Sequence, residues 1–432
     1  MNTSLPIPAQ PLKLALIGAG SRTQTIYQPL WESLKPWCVP VAVCDPVATN
    51  GQKLAAALGV PYYNDIRQLV KDRPMEAALV VTPVPSHHSI SVFLSSNGIP
   101  NHTETTWASM VCQAKEMIAV AKKNKVIVRV AENFFRMPID RFAQTVRDVG
   151  YLGRIGRIVS YADHTGYHND SRWIAFAQCH PDWVQCVEHI MSHPAFYSMP
   201  QRRHEKETLN ARFFHFTNDL LVMDVGSGHA KGHLGRHPRP GYTEFQGERG
   251  TLVNRAAASS PDWFRNPECE LRFVSDAMLA PAQEAAGNLS GGGRADIVTA
   301  VHHDTTGECW TGMHADTPTG RIEYVSPLTT CIKCGKVSQR DWYGVAVMDH
   351  IVDFALAVKG LRDSEFTGED ALMSEMMEIG AHESNLQEGR RIKLPIEGDL
   401  EADAITRAAQ KKQFGVDPLD VEAMLAVSFP RP

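Results

Sequence analysis

The chain of 432 residues lacks an apolar run approaching the roughly 20 residues that a membrane-spanning helix needs. Its first eleven residues lack the basic-then-apolar pattern of a secretory signal peptide, so we expect a cytoplasmic protein with no membrane partner. It also lacks an excess of positive charge, because 43 Lys and Arg stand against 48 Asp and Glu. A net charge of −5 argues against a nucleic-acid partner.

A regular disulfide framework is also missing. The nine cysteines are odd in number, and most lie within apolar patterns, where a cysteine acts as a small buried hydrophobe. Cys331 and Cys334 form one C-x-x-C pair, but no second pair follows to complete a zinc site. They are interpreted either as half of a metal motif or as two cysteines in a turn, and we expect no metal.

The first third of the chain is typical of a dinucleotide-binding unit. The apolar run Lys13–Ile17 predicts a buried strand, and it leads through Gly18 and Gly20 into a stretch that can form a helix. Gly18 allows the tight turn, Gly20 lets the backbone approach a pyrophosphate, and the helix start offers N–H groups to that anion. The third glycine of this fingerprint is replaced by Thr23.

The next apolar run, Val39–Cys44, is followed directly by the acidic residue Asp45. A carboxylate at this point accepts hydrogen bonds from the adenosine ribose and repels a 2′-phosphate, which favours NAD over NADP. The alternative is that Asp45 is only a turn residue before Pro46. Strands and helices keep alternating as far as Val130, which predicts a parallel, doubly wound sheet.

An ordered set of segments then resembles the Gfo/Idh/MocA family of oxidoreductases over about residues 12–396. The segments are GAGSR at Gly18–Arg22, CDP at Cys44–Pro46, YNDIRQLV at Tyr63–Val70, TPVPSH at Thr82–His87, NGIP…TETTWA at Asn97–Ala108, AENFFRMP at Ala131–Pro138 and the region Arg340–Gly360. The resemblance implies a Rossmann domain over residues 1–131, an α+β domain with a large, mostly antiparallel sheet over 132–396, and a tail over 397–432. It also implies NAD as cofactor and a homo-oligomer, a dimer or tetramer.

The resemblance further implies the cofactor contacts. They are Gly18, Gly20, Ser21, Arg22, Asp45, Thr82, Pro83, His87 and Glu104, with Thr82, Pro83 and His87 on the nicotinamide side. One departure is notable, because the family's Glu-Lys-Pro is here Glu104-Thr105-Thr106. Thr105 can donate a hydrogen bond, but it lacks the positive charge that would polarise a reacting oxygen.

Eighteen histidines are many for this length, and several cluster. Gln185, His189 and His193 are spaced four apart, which we interpret as one face of a helix. The resemblance makes His189 the general base, with Gln185 in place of the family's aspartate. A packed or capping histidine and a metal ligand are the alternatives.

Two further clusters are expected near the substrate. The loop at 163–170 includes Tyr167 and His168, which we place at the rim of the site with His168 as a further catalytic candidate. Around Lys231 a basic stretch predicts a contact with an anionic substrate group or a solvated loop. The substrate residues we expect are Thr105, Tyr167, Arg172, His193 and Lys231.

We therefore predict an NAD-dependent oxidoreductase acting on a secondary hydroxyl of a sugar, cyclitol or glycoside, including one that carries an anionic group. The first alternative is a redox-neutral, NAD-dependent glycoside hydrolase that oxidises, eliminates, adds water and reduces. The second is a non-catalytic NAD-binding regulatory protein, which the replacements Thr105 and Gln185 favour.

Overall fold

The structure is a computed structural model. It describes residues 5–162, 166–199, 202–227, 242–256, 267–277, 295–306, 309–328, 333–334, 337–338 and 343–429. Lys231 and Cys331 lie outside these ranges, as does the whole Gly-rich stretch at 280–294.

The amino-terminal part is a six-stranded parallel sheet in the order β3-β2-β1-β4-β5-β6. Its strands are β1 (Leu12–Ile17), β2 (Cys38–Cys44), β3 (Tyr62–Tyr63), β4 (Ala77–Val80), β5 (Asn101–Thr103) and β6 (Val128–Val130). Its helices are α1 (Trp31–Leu34), α2 (Ala48–Leu58), α3 (Ile66–Asp72), α4 (His87–Ser96), α5 (Val111–Asn124) and α6 (Pro138–Asp148). The doubly wound sheet predicted from the alternating pattern is confirmed.

The apolar strands fold this way because helices cover both faces of the sheet. In β1 the side chains of Leu14, Ala15 and Leu16 are all completely buried, although successive residues point to opposite faces. This arrangement brings the carboxyl ends of β1, β4, β5 and β6 to one edge, where doubly wound sheets bind their ligands.

A second sheet has nine strands in the order β14-β13-β12-β11-β7-β10-β9-β8-β20. The strands are β7 (Ile155–Ala162), β8 (Pro181–Met199), β9 (Arg202–Phe216), β10 (Leu221–Ser227), β11 (Tyr242–Gly247), β12 (Gly250–Ala256), β13 (Pro267–Phe273), β14 (Ile297–Ala300) and β20 (Ile392–Lys393). Only the β7–β10 pair among these described strands is parallel. The predicted large, mostly antiparallel sheet is confirmed.

Two helices cover one face of this large sheet, α7 (Tyr167–Ala177) and α9 (Gly368–Leu386). Between them in the chain lies α8 (Tyr343–Val358), a nearly all-buried helix that brings the chain back to the first domain. It lies within Arg340–Gly360, one of the segments that carry the family resemblance.

The Gly-rich sequence of residues 280–334 predicts an irregular segment, but this region contains regular structure where the chain is described. The strands β15 (His302–Thr306), β16 (Cys309–Thr317) and β17 (Gly320–Val325) form a three-stranded sheet that packs on α6. A two-stranded pair follows, β18 (Lys333–Cys334) with β19 (Val337–Ser338). The prediction of an irregular segment was therefore wrong for these residues, because alternating inward side chains such as Met313 and Ala315 are buried.

The carboxy-terminal tail folds onto the amino-terminal domain. Its helices are α10 (Glu401–Phe414) and α11 (Val421–Leu425), and α11 packs on α4. The Asp403 carboxylate accepts hydrogen bonds from the first two N–H groups of α5, at Val111 and Cys112, both at 3.0 Å. In the described ranges no helix is long and apolar enough to cross a membrane.

Candidate active site

The turn after β1 has the geometry that a dinucleotide needs. Gly18 has φ of +97°, and a Cβ placed on it would lie 2.1 Å from the carbonyl oxygen of Val81. A Cβ on Gly20 would meet no atom within 4 Å, so the backbone there faces open space. The hydroxyl of Thr23, which replaces the third glycine, donates to the Gly18 carbonyl at 2.7 Å and tightens the turn. These features fit a bound pyrophosphate.

The carboxylate of Asp45 lies beside this turn at the end of β2. One oxygen accepts the Ala19 N–H at 2.7 Å, and the other accepts the Val47 N–H at 2.7 Å. Asp45 is therefore oriented by two main-chain groups and is buried. Each carboxylate oxygen has a second lone pair, so the expected hydrogen bonds from ribose hydroxyls remain compatible with this arrangement.

Glu104, at the end of β5, is the centre of a hydrogen-bonded cluster. Its Oε1 accepts from Arg22 Nε at 2.6 Å and from the Tyr27 hydroxyl at 2.7 Å. Its Oε2 accepts the Thr105 N–H at 2.9 Å, and the Thr105 hydroxyl lies at 3.2 Å. The Arg22 guanidinium also lies over the rings of Tyr27 and Tyr343, at 5.8 and 5.5 Å.

The charges of this cluster stabilise each other. Burial alone would raise the pKa of Glu104, but Arg22 and the hydrogen bonds from Tyr27 and Thr105 bring it below its usual value. Burial would likewise lower the pKa of Arg22, yet Glu104 raises it. Both groups are thus charged across the physiological range, and the Arg22 side chain remains about one-third exposed.

His87 lies beneath the nicotinamide side of the predicted site and is completely buried. Its two ring nitrogens lie 2.8 Å from the main-chain carbonyl oxygens of Thr82 and Thr106. The ring therefore links the loops that follow β4 and β5. Burial lowers its pKa. The structure places His87 behind these loops, so it supports the surface that Thr82 and Pro83 were predicted to form.

The carboxylate of Glu132 holds His168 at the start of α7. Its Oε2 lies 3.0 Å from His168 Nδ1 and accepts the Ser171 hydroxyl at 3.1 Å. The His168 ring stacks on Phe134, with centroids 4.2 Å apart and planes 8° apart. Glu132 follows β6, so this pair lies at the ligand-binding edge of the Rossmann sheet. A carboxylate on Nδ1 leaves the lone pair on Nε2, the arrangement of a general base.

A row of polar residues across the large sheet anchors α7. Cys186, Arg212, Asp224, Ser160, Thr243, Asn254 and Cys269 are successive cross-strand partners, so they share one face. Arg212 donates to Asp224 at 2.6 Å and to Glu378 of α9 at 2.6 Å, and it lies 3.3 Å from Asp170 of α7. Asn169 and Trp173 of α7 also donate to Asp224. Burial raises the pKa of Asp170 well above its usual range.

The predicted helix over Gln185–His193 was wrong. These residues lie in β8, where His189 pairs with Leu209 of β9. His189 is an odd number of residues from Cys186, so it points to the face opposite α7, where it is exposed. Gln185 donates a hydrogen bond to the Gly389 carbonyl, and His193 Nδ1 lies 2.9 Å from the carbonyl oxygen of the next residue, Pro194. The structure thus does not bring His189, Gln185 and His193 to the Rossmann edge.

The other predicted substrate residues divide into two groups. Tyr167 is half-buried beside His168, with ring centroids 4.3 Å apart, and Thr105 is half-buried beside Glu104. Arg172 is buried, and it donates to Asp140 at 2.9 Å and to Asn169 at 3.0 Å, so it ties α7 to α6. Lys231 lies outside the described residues. Among those residues no group of three or more His, Cys, Asp or Glu is arranged to hold a metal.

Sequence reasoning missed Glu132 and the role of Arg22 as the partner of Glu104. Glu132 stood within the segment AENFFRMP, directly after the apolar strand ending at Val130. A carboxylate just beyond a parallel strand was the available signal, because such a position lies at the ligand-binding edge.

Residues 12–132 match the model of the Gfo/Idh/MocA family, described as an oxidoreductase family with an NAD-binding Rossmann fold. No curated protein sequence matches the chain. Levoglucosan dehydrogenase, in complex with NADH and levoglucosan, is similar at 16% identity with a TM-score of 0.63, over 90% of this chain and 100% of that chain.

Two further solved structures are similar. One is an oxidoreductase from Agrobacterium radiobacter in complex with NAD+, L-tartaric acid and magnesium, at 14% identity and a TM-score of 0.62, over 88% of this chain and 98% of that chain. The other is the WlbA dehydrogenase from Bordetella pertussis in complex with NADH and UDP-GlcNAcA, at 13% identity and a TM-score of 0.58, over 91% and 100%. At these identities the similarity shows a shared fold.

Proposed function

We propose that this protein, an NAD-binding oxidoreductase that belongs through residues 12–132 to the Gfo/Idh/MocA family, oxidises a secondary hydroxyl of a sugar, cyclitol or glycoside. The observation that carries the proposal is the Glu132–His168 pair at the carboxyl edge of the Rossmann sheet. The base is then His168, and His189 on the opposite face of the large sheet has no part in the chemistry.

The chain's own residues handle the proton. Bound NAD supplies the hydride acceptor, C4 of its nicotinamide ring. Nε2 of His168 takes the hydroxyl proton as the substrate C–H bond gives up its electron pair as hydride. The substrate thus loses one hydride and one proton, which together equal two protons and two electrons, and becomes a carbonyl. The Glu132 carboxylate stabilises the imidazolium that forms and holds the ring in the reactive tautomer.

We expect the cofactor to bind at the same carboxyl edge of the Rossmann sheet. Gly18, Gly20 and Ser21 would hold the pyrophosphate, and Asp45 the adenosine ribose, which favours NAD over NADP. Thr82, Pro83 and Thr105 would border the nicotinamide half. The carbohydrate class is supported by the similar structures that were solved in complex with levoglucosan and with the nucleotide sugar UDP-GlcNAcA.

A substrate panel tests the reaction type. The purified protein is incubated with NAD and with free sugars, cyclitols and aryl glycosides, while reduced nicotinamide and released aglycone are both measured. We expect reduced nicotinamide to accumulate with a free sugar or cyclitol. Aglycone released without net reduction would instead establish the redox-neutral glycosidase, and neither signal with NAD still bound would support the regulatory protein.

Three variants test the base. His168→Asn should lower kcat about 10²–10⁴-fold, the range for loss of a general base, with NADH affinity retained. Glu132→Gln should lower kcat less than His168→Asn does, since the base remains. His189→Ala is the matched control and should keep full activity. A large loss in His189→Ala with none in His168→Asn would overturn this choice of base.

A further inference from the structure

The position that directly follows Glu104 carries no lysine in this chain, so it supplies no positive charge. Thr105 stands directly after Glu104, and its side chain is neutral. The cation that does reach Glu104 is Arg22, whose Nε donates to Oε1 at 2.6 Å. Arg22 comes from the turn after β1, whereas Glu104 ends β5, two strands away in the sheet order. The Arg22 side chain therefore crosses the carboxyl end of β4.

That crossing places the guanidinium over the half of the crevice that faces away from Asp45. A dinucleotide lies across the carboxyl ends with its adenosine half at the strand that carries the acidic residue, here β2. The nicotinamide half then lies toward β4 and β5, which is the side that Arg22 spans. An arginine that only bound the pyrophosphate would have no need to reach the end of β5.

The guanidinium is held in a fixed position. Glu104 binds its Nε, and the rings of Tyr27 and Tyr343 lie within 5.8 Å of its central carbon. Tyr27 in turn donates to the same Glu104 oxygen at 2.7 Å, so the anchor is itself fixed. The side chain is nevertheless about one-third exposed. An arginine cannot accept a proton near neutral pH, so its contribution is electrostatic.

We propose that Arg22 is the electrostatic positioning residue of the hydride transfer, which takes over the positive charge that Thr105 does not provide. This inference rests on the proposed function. The guanidinium disfavours the cationic nicotinamide of NAD+, favours the neutral ring of NADH and stabilises the negative charge that develops on the substrate oxygen. Arg22 itself exchanges no proton, and His168 remains the proton acceptor.

The test uses ligand binding and needs no identified substrate. Dissociation constants of NAD+, NADH and ADP-ribose are measured by calorimetry for the wild type, Arg22→Gln and Arg22→Lys. We expect Arg22→Gln to lower the ratio Kd(NAD+)/Kd(NADH) about tenfold, the size of one partly exposed charge interaction. Arg22→Lys keeps the charge and should hold the ratio within about threefold of the wild type.

ADP-ribose provides the internal control because it lacks the nicotinamide ring. Its affinity should be unchanged in Arg22→Gln, which also reports that the variant is folded. If all three ligands weaken by the same factor, Arg22 is a pyrophosphate ligand and the proposal is wrong. Arg67→Gln removes one charge from the exposed ion pairs with Glu422 and Asp65 and should leave the ratio unchanged.

A second variant tests the replacement of the lysine directly. Thr105→Lys in the Arg22→Gln background returns a cation next to Glu104 and should restore the ratio toward that of the wild type. A ratio that stays low in the double variant would contradict the idea that Arg22 supplies the charge that Thr105 lacks.

If the ratio responds as expected but no sugar or cyclitol is oxidised, the proposed function fails while the proposal for Arg22 stands. If sugars are oxidised but the ratio does not respond, only the Arg22 proposal fails.

Discussion

Replacing Glu375 by glutamine should stabilise the protein above neutral pH. Glu375 lies on α9, is buried, and accepts a hydrogen bond from the Ala108 N–H at 3.1 Å, with the Trp107 N–H as a further donor. It thereby ties α9 to the loop that follows Thr105. Burial raises its pKa from 4.5 to about 8, and the nearby carboxylates of Glu378 and Glu132 add to this effect.

The sign follows from proton uptake on folding. In the unfolded chain Glu375 loses its proton near pH 4.5, whereas in the folded protein it keeps the proton up to about pH 8. Between these values the folded state binds more protons, so this group's contribution makes stability fall as pH rises. At about 1.4 kcal/mol per pH unit, the cost reaches about 3 kcal/mol at pH 7. Glutamine carries no such proton and can still accept from the two N–H groups.

Urea unfolding of the wild type and Glu375→Gln is measured at intervals between pH 5 and pH 8. The advantage of the variant should be small near pH 5 and grow toward about 3 kcal/mol at pH 7. Glu369→Gln, on the same helix but half-exposed, is the matched control and should show no such growth. A difference between Glu375→Gln and the wild type that is the same at every pH would refute the reasoning.

Three further changes test the scaffold. Gly18→Ala should abolish NADH binding and lower the free energy of urea unfolding by about 2–5 kcal/mol, since both the positive φ and the close carbonyl oppose a Cβ. As a control, Gly20→Ala places its Cβ in open space, so it should weaken NADH binding without lowering the stability of the protein. Arg212→Met should cost about 3–5 kcal/mol because it leaves two buried aspartates without their cation. Arg154→Met breaks only exposed ion pairs, with Asp219 and Glu248, and should cost much less than Arg212→Met. Asp403→Ala removes the cap of α5 and should lower the unfolding free energy by about 1 kcal/mol. Equal costs for Arg212→Met and Arg154→Met would contradict the assigned role of burial.

The local pattern was sufficient for the Rossmann half. The apolar runs Lys13–Ile17 and Val39–Cys44 each predicted a strand close to where one occurs. Parallel strands buried on both faces need continuous apolar residues, and tight turns need glycine, so both requirements are visible in a short window. The assignment of this region to an NAD-binding domain is confirmed.

The same kind of reasoning failed over Gln185–His193. A spacing of four puts residues on one face of a helix, but four is also even, so the same residues share a face of a strand. Periodicity alone therefore could not decide, and the β-branched residues Val184, Val187 and Ile190 were the better signal for a strand. Once the segment is a strand, His189 is on the open face of the sheet and the functional reading changes.

The sequence by itself determined the fold class, the cofactor edge and the absence of a lysine beside Glu104, because each depends on residues adjacent in the chain. Only the tertiary structure decided which groups meet at that edge. The pairs Glu132–His168 and Arg22–Glu104 are 36 and 82 residues apart. They meet because parallel strands align their carboxyl ends and because the polar row on the large sheet holds α7 in place. No local window contains that information, since it arises from strand order and helix packing.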